Sequence, residues 1–203
     1  MKKNIFSVTV IYMLLLVSCK STYLASSWRE PNKQVSISNL NKVLVVAWFK
    51  DETSRRKAED KMAAYLNGRG VVSYNYLDDN FNRQSEEAMR YKIKTDGFDG
   101  AVVMRLLDVA KDQYYVPGTN AYPQYYRSFS GYYYRKWNYN STPGYYTTTK
   151  TYTVETNIYS IKEDKIIWSG VTKTTDPSGL DKMMSEIADI VYKKMKDEGF
   201  VSK

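Results

Sequence analysis

Hydrophobic residues occur along this chain in three arrangements: short unbroken runs, three- and four-residue steps, and strict alternation. An apolar run from Ile5 to Val17 comes first, behind Lys2 and Lys3. Lys20 to Leu40 follows without a period, and its polar character predicts a tether that reaches about 70 Å at 3.3 Å per residue. Val43-Leu44-Val45-Val46-Ala47-Trp48-Phe49 is continuously apolar, which suits a strand covered on both faces. Asp51 to Ser54 supplies capping side chains and early negative charge for a helix to about Asn67. Ala58, Met62 and Tyr65/Leu66 share one face of it, and Gly68 is its stop.

Val71 to Leu77 predicts a second strand, and Asp78-Asp79-Asn80 a turn. From about Arg83 to Thr95, Glu86, Arg90 and Lys94 mark a solvated helix face, with Met89 and Ile93 on the buried one and Gly97 at the end. Gly100 to Leu107 gives a third strand, and right-handed crossovers would make all three parallel. Alternation resumes from Thr151 to Ile161, turns at Lys162-Glu163-Asp164 and returns over Lys165 to Thr174, a β-hairpin. Asp176-Pro177-Ser178 opens a last helix with Leu180, Met184, Ile187, Val191 and Met195 at helical steps and Gly199 as its cap. The predicted fold is one α/β domain, in the order β-α-β-α-β, Tyr-rich insert, β-hairpin, C-terminal α-helix, with helices packed on a mixed sheet.

Between the third strand and the hairpin, Gln113 to Thr149 changes character. It holds Tyr125-Tyr126, Tyr132-Tyr133-Tyr134 and Tyr145-Tyr146, with Pro117, Pro123 and Pro143 and no acidic residue. A loop this long inside a compact domain is usually functional or disordered.

The apolar run at the start is too short to span a membrane, which takes about 20 residues. With Lys2 and Lys3 ahead of it, it has the n-region and h-region of a secretory signal. Leu16-Val17-Ser18-Cys19 resembles the bacterial lipoprotein signal, or lipobox. That resemblance implies cleavage before Cys19 and covalent lipid on its sulfur and amino group. One acyl chain anchors only marginally, whereas several on one cysteine hold the chain at the membrane. The expected organisation is therefore a signal over residues 1–18, a lipidated cysteine and tether over 19–40, and a domain over 41–203 with the insert at 113–149. Lys20 stands where enterobacterial inner-membrane lipoproteins carry aspartate, which favours the outer membrane and a periplasm-facing domain.

Composition removes several kinds of chemistry. There is no histidine, which excludes Ser-His-Asp triads and His-ligated metals, and the single cysteine is the one to be lipidated. The formal charge of +8 falls by the two signal lysines to +6, without a Lys/Arg cluster of the kind that grips nucleic acid. The expectation is a protein that is not an enzyme, with no cofactor beyond the lipid on Cys19.

The element order is similar to the amino-terminal domain of TolB and to the related folds of the curli lipoprotein CsgG and the penicillin-binding-protein activator LpoB. Val154-Glu155-Thr156-Asn157-Ile158-Tyr159-Ser160 through Ile167-Trp168-Ser169-Gly170 looks like the hairpin of that group. The resemblance covers roughly Lys42 to Lys203 and implies a periplasmic module that contacts envelope partners. The insert departs from the membrane hairpins of CsgG, since Pro123, Arg127, Arg135, Lys136 and Pro143 would be costly in a lipid-facing strand.

Two constellations remain. Tyr125, Tyr126, Arg127, Tyr132, Tyr133, Tyr134, Arg135 and Trp137 offer flat aromatic faces with polar tips and cations, suited to an envelope protein partner or to stacking on cell-wall sugars. The alternatives are an edge ribbon packed on the sheet and a disordered low-complexity loop. Asp51 and Glu52, Asp78 and Asp79, and Asp108 and Asp112 each follow a predicted parallel strand, where a hard cation for a hydrolase could gather them. Helix caps and turns account for the first two pairs equally well.

Overall fold

The structure, a computed structural model, describes residues 21–36, 39–77, 85–118, 129–130 and 143–202. Its elements are β1 (Thr22–Arg29), β2 (Val35–Ser36), β3 (Lys42–Trp48), α1 (Glu52–Ala64), β4 (Gly70–Val72), α2 (Ser73–Tyr76), α3 (Glu86–Thr95), β5 (Phe98–Val116), β6 (Tyr145–Ser160), β7 (Lys165–Thr175), α4 (Leu180–Asp197) and β8 (Val201–Ser202). Six strands form a mixed sheet in the order β1-β7-β6-β5-β3-β4, and β2 pairs with β8 in a small parallel sheet. The chain is a single α/β domain with helices on the sheet.

The apolar run of β3 is covered on both faces. Val43, Val45 and Ala47 join the main core with Ala58 and Met62 of α1 and with Met184, Ile187 and Val191 of α4. Leu44 points the other way, into a smaller cluster with Phe98 and Ala101, against which Ile93 of α3 packs. β3 runs parallel to β4 and β5, as crossover handedness predicts. β6 and β7 form the expected antiparallel hairpin. A bulge between Ile158 and Tyr159 turns both Ile167 and Trp168 toward the main core, which alternation alone would not place together. Gly68, Gly97 and Gly199, the three predicted helix stops, have φ of 79°, 81° and 66°.

Four expectations are corrected. The predicted tether from Lys20 to Leu40 contains β1, which pairs antiparallel with β7 from Thr22 opposite Thr174 to Arg29 opposite Trp168. The sheet therefore begins at Thr22, not at Lys42. The predicted strand Val71 to Leu77 stops at Val72 and becomes α2. The third strand extends to Val116 and the hairpin's first strand begins at Tyr145, so both ends of the predicted insert are sheet.

Three glutamates explain the first two corrections. Glu186 Oε2 accepts from Thr22 Oγ1 at 2.7 Å and Ser21 Oγ at 3.1 Å, and Glu198 Oε1 accepts from Ser27 Oγ at 2.8 Å, so α4 and its C-cap residue hold β1 toward both ends. Glu59 of α1, fully buried, accepts from the backbone N–H groups of Ser73 at 2.6 Å and Tyr74 at 3.2 Å. Those are the orphan donors of a helix N-terminus, so a carboxylate from another element caps α2 and ends the strand.

The β1 clasp is sensitive to acid. Burial pushes Glu186 up, but hydrogen bonds from Thr22 and Ser21, with Lys182 nearby, outweigh it and leave the carboxyl below the ordinary glutamate value. Glu198 is likewise lowered, by Trp168, Ser27 and Lys194 against its burial. A carboxyl lowered by folding contributes stability above its unfolded pKa of about 4.3 and loses it as pH falls through the folded value. At pH 3, therefore, β1 amides should lose hydrogen-exchange protection relative to β6, after correction for intrinsic rates. The double variant Glu186→Gln/Glu198→Gln should remove that difference between pH 3 and pH 6. An identical pH response in the variant and the parent would refute the clasp.

Candidate functional site

Two features stand apart from ordinary core and surface, and they lie at opposite ends of the sheet. At one end, β5 and β6 outrun their neighbours. β3 is paired with β5 only to Arg105, and β7 with β6 only from Thr151. From Asp112 opposite Thr149 to Val116 opposite Tyr145, the two strands have each other alone among the described residues. An isolated two-stranded ribbon is marginal in water, so its side chains matter. Tyr115 and Tyr146 pack with ring centroids 5.2 Å apart, and the Tyr115 phenol crosses Gly144 so closely that a side chain there would collide with it. At the root, Lys150 N–H donates to Asp176 Oδ1 at 2.7 Å, and Asp176 N–H returns a bond to Lys150 O at 2.9 Å. The ribbon's described tyrosines nonetheless face solvent, from Tyr114 at 56% exposed to Tyr146 at 73%.

At the other end a cavity of about 600 Å³ opens between the sheet and its helices. Val102, Thr156 and Ile158 form its sheet wall, Met62 of α1 with Val191 and Met195 of α4 its helix wall, and Val35 and Val201 of the small sheet one side. Thr156 is fully buried on its wall, and its hydroxyl has no hydrogen-bond partner among the described residues. Lys33, Lys94, Lys162, Asp99 and Glu163 stand at the rim. Both acids are engaged: Asp99 accepts from the backbone of Asn41 and Lys42, and Glu163 pairs with Lys33 and Lys165. Lys94 and Lys162 have no ion-pair partner among the described residues.

Of the residues singled out by sequence, Cys19 with Leu16, Val17 and Ser18, the insert residues Tyr125, Tyr126, Arg127, Tyr132, Tyr133, Tyr134, Arg135 and Trp137, and the pair Asp78 and Asp79 lie outside the described residues. The other strand-end carboxylates do not converge. Asp51 Oδ2 caps α1 by accepting from Ser54 N–H at 2.7 Å, which lowers its pKa. Glu52 pairs with Arg55 and Arg56. Asp108 and Asp112 sit exposed on β5. Among the described residues no cluster of three or more His, Cys, Asp or Glu side chains is placed to hold a metal, and no helix is long and apolar enough to cross a membrane. Sequence reasoning missed the cavity altogether. The one signal it left is Thr156 between Val154 and Ile158, a β-branched alcohol between two apolar residues of one face.

No protein-family model matches this sequence, and no curated protein matches it significantly. Among solved structures, the PelC dodecamer from Paraburkholderia phytofirmans is similar at 9% identity and a TM-score of 0.44, covering 84% of this chain and 94% of that one. Lipoprotein GNA1162 from Neisseria meningitidis is similar at 9% identity and a TM-score of 0.40, covering 77% of this chain and 98% of that one.

Proposed function

We propose that this chain is a lipid-anchored, non-enzymatic protein of the bacterial cell envelope, and that its tyrosine ribbon engages an envelope protein partner close to the membrane. The observation that carries this is the direction of the strands. Ser21 O accepts from Thr175 N–H, and Thr175 lies opposite Thr151 at the root of the ribbon. The chain therefore enters the sheet from Cys19 at the same end at which the ribbon leaves it. A lipid on Cys19 and the tyrosines would face one membrane surface. Tyrosine rings give large contact area at low entropic cost, and the ribbon's backbone presents two edges, unpaired among the described residues, for strand addition. Lys20 after the cysteine favours the outer membrane.

The test uses the full chain in its native host. Wild type should yield a mature form beginning at acylated Cys19, and Cys19→Ala should carry no acyl group. The variant Tyr114→Ser/Tyr115→Ser/Tyr145→Ser/Tyr146→Ser should keep membrane fractionation and lose about tenfold or more of its cross-linking to partner proteins, as expected when aromatic anchors are removed from an interface. An unacylated wild type defeats the anchor, and undiminished cross-linking in the tyrosine variant defeats the ribbon. Retention on purified cell-wall sacculi that depends on the same tyrosines would replace the protein partner with a polymer.

A further inference from the structure

We propose that the cavity binds a single-chain amphiphile: a saturated hydrocarbon tail of fatty-acid length between sheet and helices, and an anionic head group at the rim between Lys94 and Lys162. This stands apart from the anchor and the ribbon. A volume of about 600 Å³ is that of a small-molecule site and not of a packing defect. The chemistry of the walls selects the tail. Val102, Ile158, Val191 and the unbranched Met62 and Met195 offer no charge and only dispersion contact, and methionine adapts to a chain of variable length. Polar side chains also line the cavity, among them Gln34, Tyr65 and Tyr192, and the Thr156 hydroxyl is sealed from solvent, so the tail is assigned to the stretch of Val102, Ile158, Val191, Met62 and Met195.

The rim selects the head. Its two acids already accept hydrogen bonds from their own chain, while Lys94 and Lys162 remain available, so the open positions at the mouth are cationic. The ligand is a separate molecule and not the lipid of Cys19. β7 runs from Lys165 near the mouth to Thr175 beside Ser21, eleven residues or about 35 Å of strand.

The experiment uses the full chain in phosphatidylcholine nanodiscs, with a hexadecanoate that carries a photoreactive diazirine near its terminal carbon. Adducts should map to the segments holding Met62, Val191 and Met195. Excess hexadecanoate should compete them away, and hexadecyltrimethylammonium, with the same tail and the opposite charge, should not. Lys94→Glu/Lys162→Glu should lower the adduct yield by about tenfold or more, the order expected for a lost charge-assisted contact. Ala188→Trp, which fills the cavity from α4, should abolish labelling while keeping the melting temperature, and Val191→Phe serves the same purpose if the first variant folds poorly. Adducts absent from these segments, as in a cavity that holds water only, overturn the proposal. So does labelling that survives in a folded cavity-filled variant, or equal competition by the cationic amphiphile.

Discussion

Replacing Glu59 by alanine is expected to destabilise the domain by about 3–5 kcal/mol, the cost of stranding buried partners of a charge, and to lower its melting temperature by about 10 °C. The carboxylate is fully buried and accepts from Ala47 N–H at 3.0 Å, Arg55 Nε at 3.2 Å, Ser73 N–H and Oγ at 2.6 Å each, and Tyr74 N–H at 3.2 Å. The backbone donors lie where neither the β3–β4 ladder nor α2 supplies an acceptor, whereas Arg55 also reaches Glu52 and Ser73 Oγ. β4 pairs with β3 only to Val45, so Ala47 N–H lies beyond the ladder's end, while Ser73 and Tyr74 begin a helix. Alanine leaves three backbone donors facing a dry pocket, while the partly exposed Arg55 keeps its pairing with Glu52. Glu59→Gln should recover only part of the loss, since its amide NH₂ must face donors on one side. Ser73→Ala, which removes one hydroxyl, should cost about 1 kcal/mol. Thermal and urea unfolding measure all three. Wild-type stability in Glu59→Ala would mean that the donors find water and that the network is not a joint.

Trp168→Ala should cost about 3–5 kcal/mol, the range for truncating a buried large aromatic. Trp168 is fully buried, donates from Nε1 to Glu198 Oε2 at 2.9 Å and brings its six-membered ring against Gly170, where any side chain would meet the indole. That contact gives a sharper test than the single change. Gly170→Ala should cost about 1–3 kcal/mol by overpacking in the wild type and close to nothing where Trp168 is alanine. A double-mutant cycle by urea unfolding reads the coupling directly, and additive effects would show that the indole does not rest on the glycine. Trp168→Phe keeps most of the bulk, removes the donor to Glu198, and should loosen β1 through the Ser27 end of the same carboxylate.

What could be read from the sequence follows from how local each signal is. β3 gave itself away by seven apolar residues in a row, the hairpin by alternation on both sides of Lys162-Glu163-Asp164, and the helix ends by glycines at positions that require left-handed backbone. β1 left no such mark. Its partner lies about 150 residues away, only Thr22 of its eight residues is buried, and Trp28 and Tyr23 face solvent. Its attachment depends on Glu186 and Glu198, which read as solvated positions of an amphipathic helix. Glu59 is hidden in the same way, one residue from Ala58 on the buried stripe. The ribbon's composition was visible, yet its pairing was not, because the turn signals Pro117-Gly118 and Pro143-Gly144 lie far apart in the sequence and do not make a short hairpin turn. The cavity is a property of the space between elements, and residue periodicity has no term for it.

β1 begins at Thr22, and this changes what an anchor at Cys19 would mean. Twenty-one linker residues would let the domain sample a hemisphere of about 70 Å, whereas Lys20 and Ser21 alone span about 7 Å, so the accessible volume shrinks on the order of a thousandfold. With so short a leash the domain would keep one underside and one top. The tyrosine ribbon would search for its partner in the two dimensions of the membrane, at a local concentration set by that confinement and not by expression level. The mouth of the cavity, at the far end of β7, would point away from the bilayer and sample only what diffuses between membrane and cell wall.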